Sequence, residues 1–119
     1  MGFLESIFSI VMEVSGTGKA SLKEAASYAP NRMGCYKIFW EGEAVYAGKA
    51  EDGLRKRFVQ YYNGTTRHYS SANKIYEHRD ELTVFWKVLS SRKECRELEK
   101  KWIEELPPDK WNKQRGWNS

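Results

Sequence analysis

Tyrosine and basic side chains are the residues of this sequence whose types could act on a polyanion. The 119 residues include seven Tyr and carry a net charge of +4, with 20 Lys and Arg against 16 acids. Basic groups neutralise phosphates, and tyrosine rings can stack on bases. The composition therefore permits a nucleic-acid partner, although by itself it favours a plain charged surface over an aromatic core.

The overall composition places the chain in a simple class. With 40% hydrophobic and 30% charged residues, it is typical of one folded domain and not of a disordered or membrane protein. The first residues lack the basic segment of a secretory signal, so we expect a cytoplasmic protein with no membrane partner. Cys35 and Cys95 lack CxxC spacing and are interpreted as small buried residues.

Two familiar site motifs are not satisfied. Gly16-Thr17-Gly18-Lys19 is followed by Ala20, where a phosphate-binding loop needs Ser or Thr, and we interpret it as a turn. His68 and His78 have no cysteine partners at zinc-ligand spacing, so a zinc site is not indicated.

Hydrophobic spacing and turn residues predict the elements that would position a site. They indicate helices over residues 3–14, 21–29, 52–62, 70–78 and 91–105, paired strands over 34–40 and 44–48, and a further strand over 82–89. The predicted class is α+β, a small antiparallel three-stranded sheet flanked by helices. We expect residues 1–30 to form an N-terminal helical extension and 31–119 to form the main domain.

The predicted hairpin contains the chain's most informative motifs. Gly34-Cys35-Tyr36 lies on its first strand, and Tyr46-Ala47-Gly48, followed by Lys49-Ala50, lies on its second. In these residues the sequence resembles the GIY-YIG nuclease family, and within it the catalytic domain of excision-repair nucleases, whose second motif also continues into Lys-Ala. Both motifs have a different apolar residue in place of Ile. The resemblance covers residues 34–112 and extends to four further positions: Arg57, Tyr61, Glu99 and Asn112.

The resemblance implies a divalent-metal-dependent endonuclease that hydrolyses DNA. Tyr46 would activate water, Arg57 would hold the scissile phosphate, and Glu99 would bind Mg²⁺ or Mn²⁺. Supporting roles would fall to Tyr36, Lys49 and Tyr61, which would tune or orient these groups, and to Asn112, which would brace the site by hydrogen bonding.

The residue types suit those roles. A free tyrosine has a pKa of about 10 and is a poor base, but a nearby ammonium such as Lys49 favours the phenolate. An arginine fork binds two phosphate oxygens at once. On the last helix, Glu97 is flanked by lysines at ion-pair spacing, whereas Glu99 lies at the edge of the apolar stripe, where a carboxylate suits Mg²⁺.

Three other residues have weaker assignments. Arg55 and Lys56 are interpreted as non-specific contacts to the nucleic-acid backbone. His68 could contact phosphate or move protons, or it could be a plain exposed loop histidine.

The shared face of Tyr36 and Tyr46 depends on strand register. A three-residue loop, Glu41 to Glu43, would pair Ile38 with Tyr46 and leave both tyrosines on one face. A two-residue turn would place them on opposite faces, and a bulge would also change the register.

Two other functions stay open. The chain could be a nucleic-acid-binding module that keeps the fold without cleaving. It could also be an interaction domain that docks through its N-terminal helix, with Phe3, Ile7, Ile10 and Val11 as anchors. RNA as the substrate and the oligomeric state are likewise undecided by the sequence.

Overall fold

The computed structural model describes residues 16–107 and 110–112, which form one antiparallel sheet with helices on both faces. The predicted helix over 3–14, with its proposed docking role, lies outside the described residues. Among the described residues, no helix is long and apolar enough to cross a bilayer. The elements in chain order are β1 (Thr17–Ser21), α1 (Leu22–Tyr28), β2 (Gly34–Trp40), β3 (Glu43–Ala50), α2 (Leu54–Asn63), α3 (Ser70–Glu77), β4 (Leu82–Val88) and α4 (Arg92–Glu104).

The sheet has four strands in the order β1-β4-β2-β3, and the prediction of three was wrong. The strand that was missed is β1, which pairs with the outer edge of β4. Its sequence, TGKAS, has no bulky β-former. Gly18 is buried under the Trp86 indole, where a side chain would collide with the ring, so the small residues that hide the strand in the sequence are what the packing needs.

β1 and α1 are built into the same core as the rest of the sheet. Ser21 caps α1 through the predicted capping box with Glu24. Leu22, Ala25 and Ala29 are fully buried and join the main apolar cluster. The division of the chain at residues 30 and 31 stays a prediction.

The β2–β3 hairpin has the predicted strand register, but its turn differs from the predicted one. Its turn has two residues, Glu41 and Gly42, both with positive φ as in a type I′ turn. The three-residue loop was therefore wrong. An irregularity in the ladder leaves Val45 as the extra residue between the partners of Ile38 and Phe39. This bulge restores the pairing of Ile38 with Tyr46.

Apolar layers cover both faces of the sheet. On one face, α1, α2 and α3 pack over Tyr36, Ile38 and Val84. On the other, α4 packs over a smaller cluster that includes Cys35, Ala47, Cys95 and Trp102. Both cysteines are free and fully buried, as predicted. The catalytic candidates therefore come from elements on opposite sides of the sheet.

The helix ends follow their local chemistry. Gly64 ends α2 in the left-handed conformation, and the side chain of Ser91 caps α4. α3 begins at Ser70 with Tyr69 at the N-cap position, so neither serine provides the predicted side-chain cap.

Candidate active site

One cleft of about 730 Å³ collects side chains from β2, β3, α2, α4 and the loop before α3. Six of the seven residues that the sequence predicts as catalytic line it: Tyr36, Tyr46, Lys49, Arg57, Tyr61 and Glu99. These residues are scattered over 64 positions of the chain, and the fold brings them to one concavity.

Three tyrosines form the apolar wall of the cleft. The ring centroids of Tyr36 and Tyr46 are 6.2 Å apart, and Tyr61 lies edge-on to both, at 5.9 and 6.4 Å. Gly48 makes this cluster possible, because a Cβ there would stand 2.5 Å from the Tyr36 hydroxyl and 3.1 Å from the Tyr46 ring. The glycine of the second motif is thus needed for space.

Tyr36 and Tyr61 act as a hydrogen-bonded pair. Their hydroxyl oxygens are 2.5 Å apart. Burial is the main cause that raises the pKa of both phenols above the ordinary tyrosine value, and their mutual proximity adds to it for Tyr61. Both phenols therefore stay protonated at neutral pH and can donate or relay hydrogen bonds.

The side chain of Arg57, on α2, is held against the end of β3. Its Nη1 donates to the backbone oxygen of Lys49 over 3.1 Å, and its guanidinium is close enough to the Tyr36 and Tyr61 hydroxyls to interact with both electrostatically. Arg57 and Tyr61 are one turn apart on α2, so they face the cleft together. The permanently charged guanidinium of Arg57 is therefore held in place beside Tyr36 and Tyr61.

Glu99 supplies the cleft's buried carboxylate. Its exposed fraction is 8%, whereas Glu97, two residues earlier on α4, is exposed, as the sequence predicts. Two other acids line the cleft: Glu51 is bonded to Lys49 at 3.0 Å, and Asp52 is bonded to Lys56 at 3.0 Å. The hydrogen bond from Lys49 is the main reason that the pKa of Glu51 lies below its usual range.

The donor set fits a hard divalent cation. No group of three or more His, Cys, Asp or Glu side chains forms a metal site anywhere in residues 16–107 and 110–112. One carboxylate in a cleft open to water is nevertheless the arrangement that Mg²⁺ accepts, because this ion keeps most of its waters and takes further oxygens from phosphate. Of the residues that line the cleft, Glu99 has the buried carboxylate that could hold it.

Asn112 lies behind the cleft and does not line it. Its amide oxygen accepts from Ala47 N at 2.6 Å, and its amide nitrogen donates to Ala47 O at 2.8 Å. β3 is an edge strand, so the outward peptide groups of Ala47 have no neighbouring strand. Asn112 satisfies both groups and so fixes the backbone next to Tyr46.

The three predicted nucleic-acid contacts are not among the residues that line the cleft. Arg55 is tied to the fold, because its Nε donates to Ala29 O at 2.7 Å. Lys56 is exposed and pairs with Asp52. His68 is exposed and its ring lies 4.2 Å from that of Tyr69. The contacts of these three residues with nucleic acid stay a prediction.

Other lining residues were missed by the sequence interpretation. Arg92, the first residue of α4, lies 3.6 Å from Glu51 and adds a third cation to the cleft. Its position seven residues before Glu99, two turns along the same helix face, is a signal that could have revealed it. No comparable sequence signal marks the other missed residues, which include Gln60, Thr66, Tyr69 and Trp111.

Comparison with known proteins identifies the family of this domain. The family model described as the GIY-YIG catalytic domain matches residues 32–114. The chain is similar to the GIY-YIG N-terminal endonuclease domain of UvrC from Thermotoga maritima bound to its catalytic divalent cation, magnesium. That structure has 28% identity and a TM-score of 0.57, over 71% of this chain and 89% of the other. A Tyr-to-Phe point mutant of the same domain matches at 25% identity and a TM-score of 0.56, over 71% and 88% of the two chains.

No curated protein matches the chain. The family match spans most of the described fold and includes both tyrosine motifs, Arg57 and Glu99. The chain belongs to the GIY-YIG family.

Proposed function

We propose that this chain is a divalent-metal-dependent endonuclease that hydrolyses DNA phosphodiester bonds. The observation that carries the proposal is that Tyr46, Arg57 and Glu99 line one cleft although they come from β3, α2 and α4. Hydrolysis needs a base for the water, a positive partner for the phosphate and a fixed geometry between them. Tyr46 would provide the base, Arg57 would provide the positive partner, and Glu99 would hold the divalent cation.

Tyr46 is our candidate for the general base. Of the three tyrosines that form the apolar wall of the cleft, Tyr36 and Tyr61 are bonded to each other, and the raised pKa of both keeps them protonated. Tyr46 lies beside this pair, and the cations Lys49 and Arg57 line the same cleft. Tyr46 would take a proton from the attacking water.

Arg57 would hold the scissile phosphate. The guanidinium has five N–H donors, and the bond to Lys49 O fixes it in the cleft while others stay available to phosphate oxygens. Tyr36 and Tyr61 would orient the guanidinium. Lys49 would add positive charge once the phosphate competes with Glu51 for its ammonium group.

Glu99 would hold the divalent cation. When bound, the cation supplies Lewis-acid stabilisation of the charge that develops on the phosphate. The related UvrC domain is described with magnesium as its catalytic divalent cation, which supports the same metal here. Asn112 would keep β3, and with it Tyr46, at the distance that this arrangement needs.

A panel of labelled duplex, branched and single-stranded DNAs, with RNA as the alternative, tests the proposal with and without Mg²⁺. We expect metal-dependent cleavage of DNA. Arg57→Ala should abolish it, and Tyr46→Phe should slow the single-turnover rate by about 100-fold or more, as for loss of a general base. Lys56→Ala, the adjacent exposed residue on α2, is the matched control and should leave the rate within about twofold.

Equal rates for Arg57→Ala and Lys56→Ala would contradict the proposal. Salt-sensitive DNA binding without any metal-dependent product would instead favour a non-cleaving binding module on the same fold.

A further inference from the structure

Tyr69 is an exposed aromatic ring on the wall of the cleft. Among the described residues, Tyr28 and Tyr69 are the two large apolar side chains that are mostly exposed, at 60% and 63%. Tyr69 lines the cleft, whereas Tyr28 is not among the lining residues. An exposed ring of this size beside a functional cleft needs an explanation that an isolated surface tyrosine does not.

The ring stands on a backbone that is fixed on both sides. Tyr69 N donates to Thr66 O at 3.1 Å, and Tyr69 O accepts from Asn73 N at 2.9 Å in the first turn of α3. The ring of His68 lies against it, with 4.2 Å between centroids. Such a ring loses little conformational freedom when a flat ligand stacks on it.

The cleft around Tyr69 has three cations that can bind phosphate and three acids, of which Glu51 and Asp52 are paired with lysines. Lys49, Arg57 and Arg92 line the same cleft. The Thr66 hydroxyl, on the same wall, is buried and has no hydrogen-bond partner among the described residues, which is unfavourable unless a ligand or water accepts its proton. A flat aromatic face combined with phosphate-binding groups matches a nucleotide.

We propose that Tyr69 is a stacking platform for an unpaired nucleobase next to the scissile phosphate. The preferred substrate is therefore nucleic acid with a single-stranded, frayed or branched segment at the cleft. Inside a duplex, each base face is covered by the neighbouring base pairs, so a tyrosine ring can reach a face only where a nucleotide is unstacked. This inference rests on the proposed nuclease function and specifies its substrate.

Binding of fluorescent DNA without divalent metal tests the platform. The ligands are a single strand, the blunt duplex of the same sequence and a duplex with an unpaired flap. The variants are Tyr69→Leu, which removes the aromatic face, Tyr69→Phe, which keeps it, and Tyr28→Leu as the matched exposed tyrosine. Thermal melting of each variant establishes that it folds.

We expect Tyr69→Leu to weaken binding of the single strand and the flap between about 5-fold and 150-fold, the range of base–aromatic stacking. Duplex binding should change less than about twofold, and Tyr69→Phe should behave as the wild type. If Tyr69→Leu and Tyr28→Leu have the same effect on all three DNAs, or if the wild type binds none of them, the platform is wrong.

Cleavage separates this inference from the proposed function. If the wild type cuts DNA with Mg²⁺, and Tyr69→Leu cuts flap and duplex DNA in the same ratio as the wild type, the stacking platform is refuted and the nuclease function is not. Selective loss of flap binding in Tyr69→Leu, with no cleavage by the wild type, would refute the nuclease and leave the stacking site.

Discussion

Asn112 is expected to contribute a large share of this domain's stability through two hydrogen bonds. Its side chain is 2% exposed and meets both peptide groups of Ala47, which is fully buried. Asn112→Ala leaves a buried N–H and a buried C=O without partners. Each such group costs about 1–3 kcal/mol. Because water can reach part of the opened space, we expect a total loss of about 2–4 kcal/mol in the free energy of unfolding.

Urea denaturation followed by tryptophan fluorescence measures this loss. For a domain of this size the m-value is about 1–2 kcal/mol/M, so the midpoint should fall by about 1–4 M. Asn73→Ala is the matched control, because its amide bonds only the exposed Glu77 and its loss should cost less than about 0.5 kcal/mol. A midpoint for Asn112→Ala equal to that of Asn73→Ala would refute the assigned role.

The activity of the same variants separates stability from positioning. Asn112→Asp keeps the acceptor for Ala47 N but loses the donor to Ala47 O, and it buries a charge. If Asn112 positions Tyr46 through β3, the folded fraction of Asn112→Asp should show a lower single-turnover rate at unchanged substrate affinity. A rate equal to that of the wild type under folding conditions would leave Asn112 with a stabilising role alone.

Three further predictions use other features of the cleft. Gly48→Ala should destabilise the domain by about 1–3 kcal/mol and lower cleavage, because its Cβ displaces the Tyr36 ring; a wild-type melting temperature would contradict this. Burial raises the pKa of Tyr36 above its value in the unfolded chain, so its neutral form stabilises the fold below about pH 10 and this stabilisation is lost as the pH rises further. Tyr36→Phe should therefore flatten the alkaline fall in the free energy of unfolding by about 1.4 kcal/mol per pH unit. Parallel curves of unfolding free energy against pH for the variant and the wild type would argue against this. Arg92→Ala should weaken DNA binding and make the binding constant less dependent on salt concentration, by about the contribution of one phosphate contact. Lys93→Ala, at the exposed neighbouring residue, is the comparison. Identical salt slopes for the two variants would remove Arg92 from the interface.

The elements with strong local signals could be predicted from the sequence. The capping box at Ser21, the glycine end of α2 and the Ser91 cap of α4 are each encoded within a few residues, and each element begins or ends close to its predicted boundary. The different exposure of Glu97 and Glu99 also followed from spacing, because charges and apolar residues repeat with the helical period.

Features that depend on tertiary packing could not be predicted in the same way. β1 is a strand because Gly18 fits under Trp86 and its backbone pairs with β4, and neither fact is visible in TGKAS. The hairpin shows two errors that cancel: the turn is one residue shorter than predicted, and the bulge at Val45 restores the register.

The cleft was predictable only in its motif residues. Tyr36, Tyr46, Arg57 and Glu99 could be selected because they match an ordered pattern in the chain. Thr66 and Tyr69 belong to a loop with no such pattern, and they join the cleft only because α2 and α3 pack on the same face of the sheet. The position of Arg55 and Lys56 beside Arg57 in a basic triplet suggested backbone-contact roles, which stay a prediction; in the fold Arg55 bonds Ala29 O and Lys56 pairs with Asp52.

The most direct test of the account compares two glutamates on one helix. The cleavage rate of a flap DNA is measured against Mg²⁺ concentration for Glu99→Gln and Glu97→Gln, which differ in burial but share α4. We expect Glu97→Gln to follow the wild-type curve within about twofold, whereas Glu99→Gln should lose cleavage or need at least about 10-fold more Mg²⁺. A Glu99→Gln variant with the wild-type rate and the wild-type Mg²⁺ dependence would contradict the metal-dependent site proposed here.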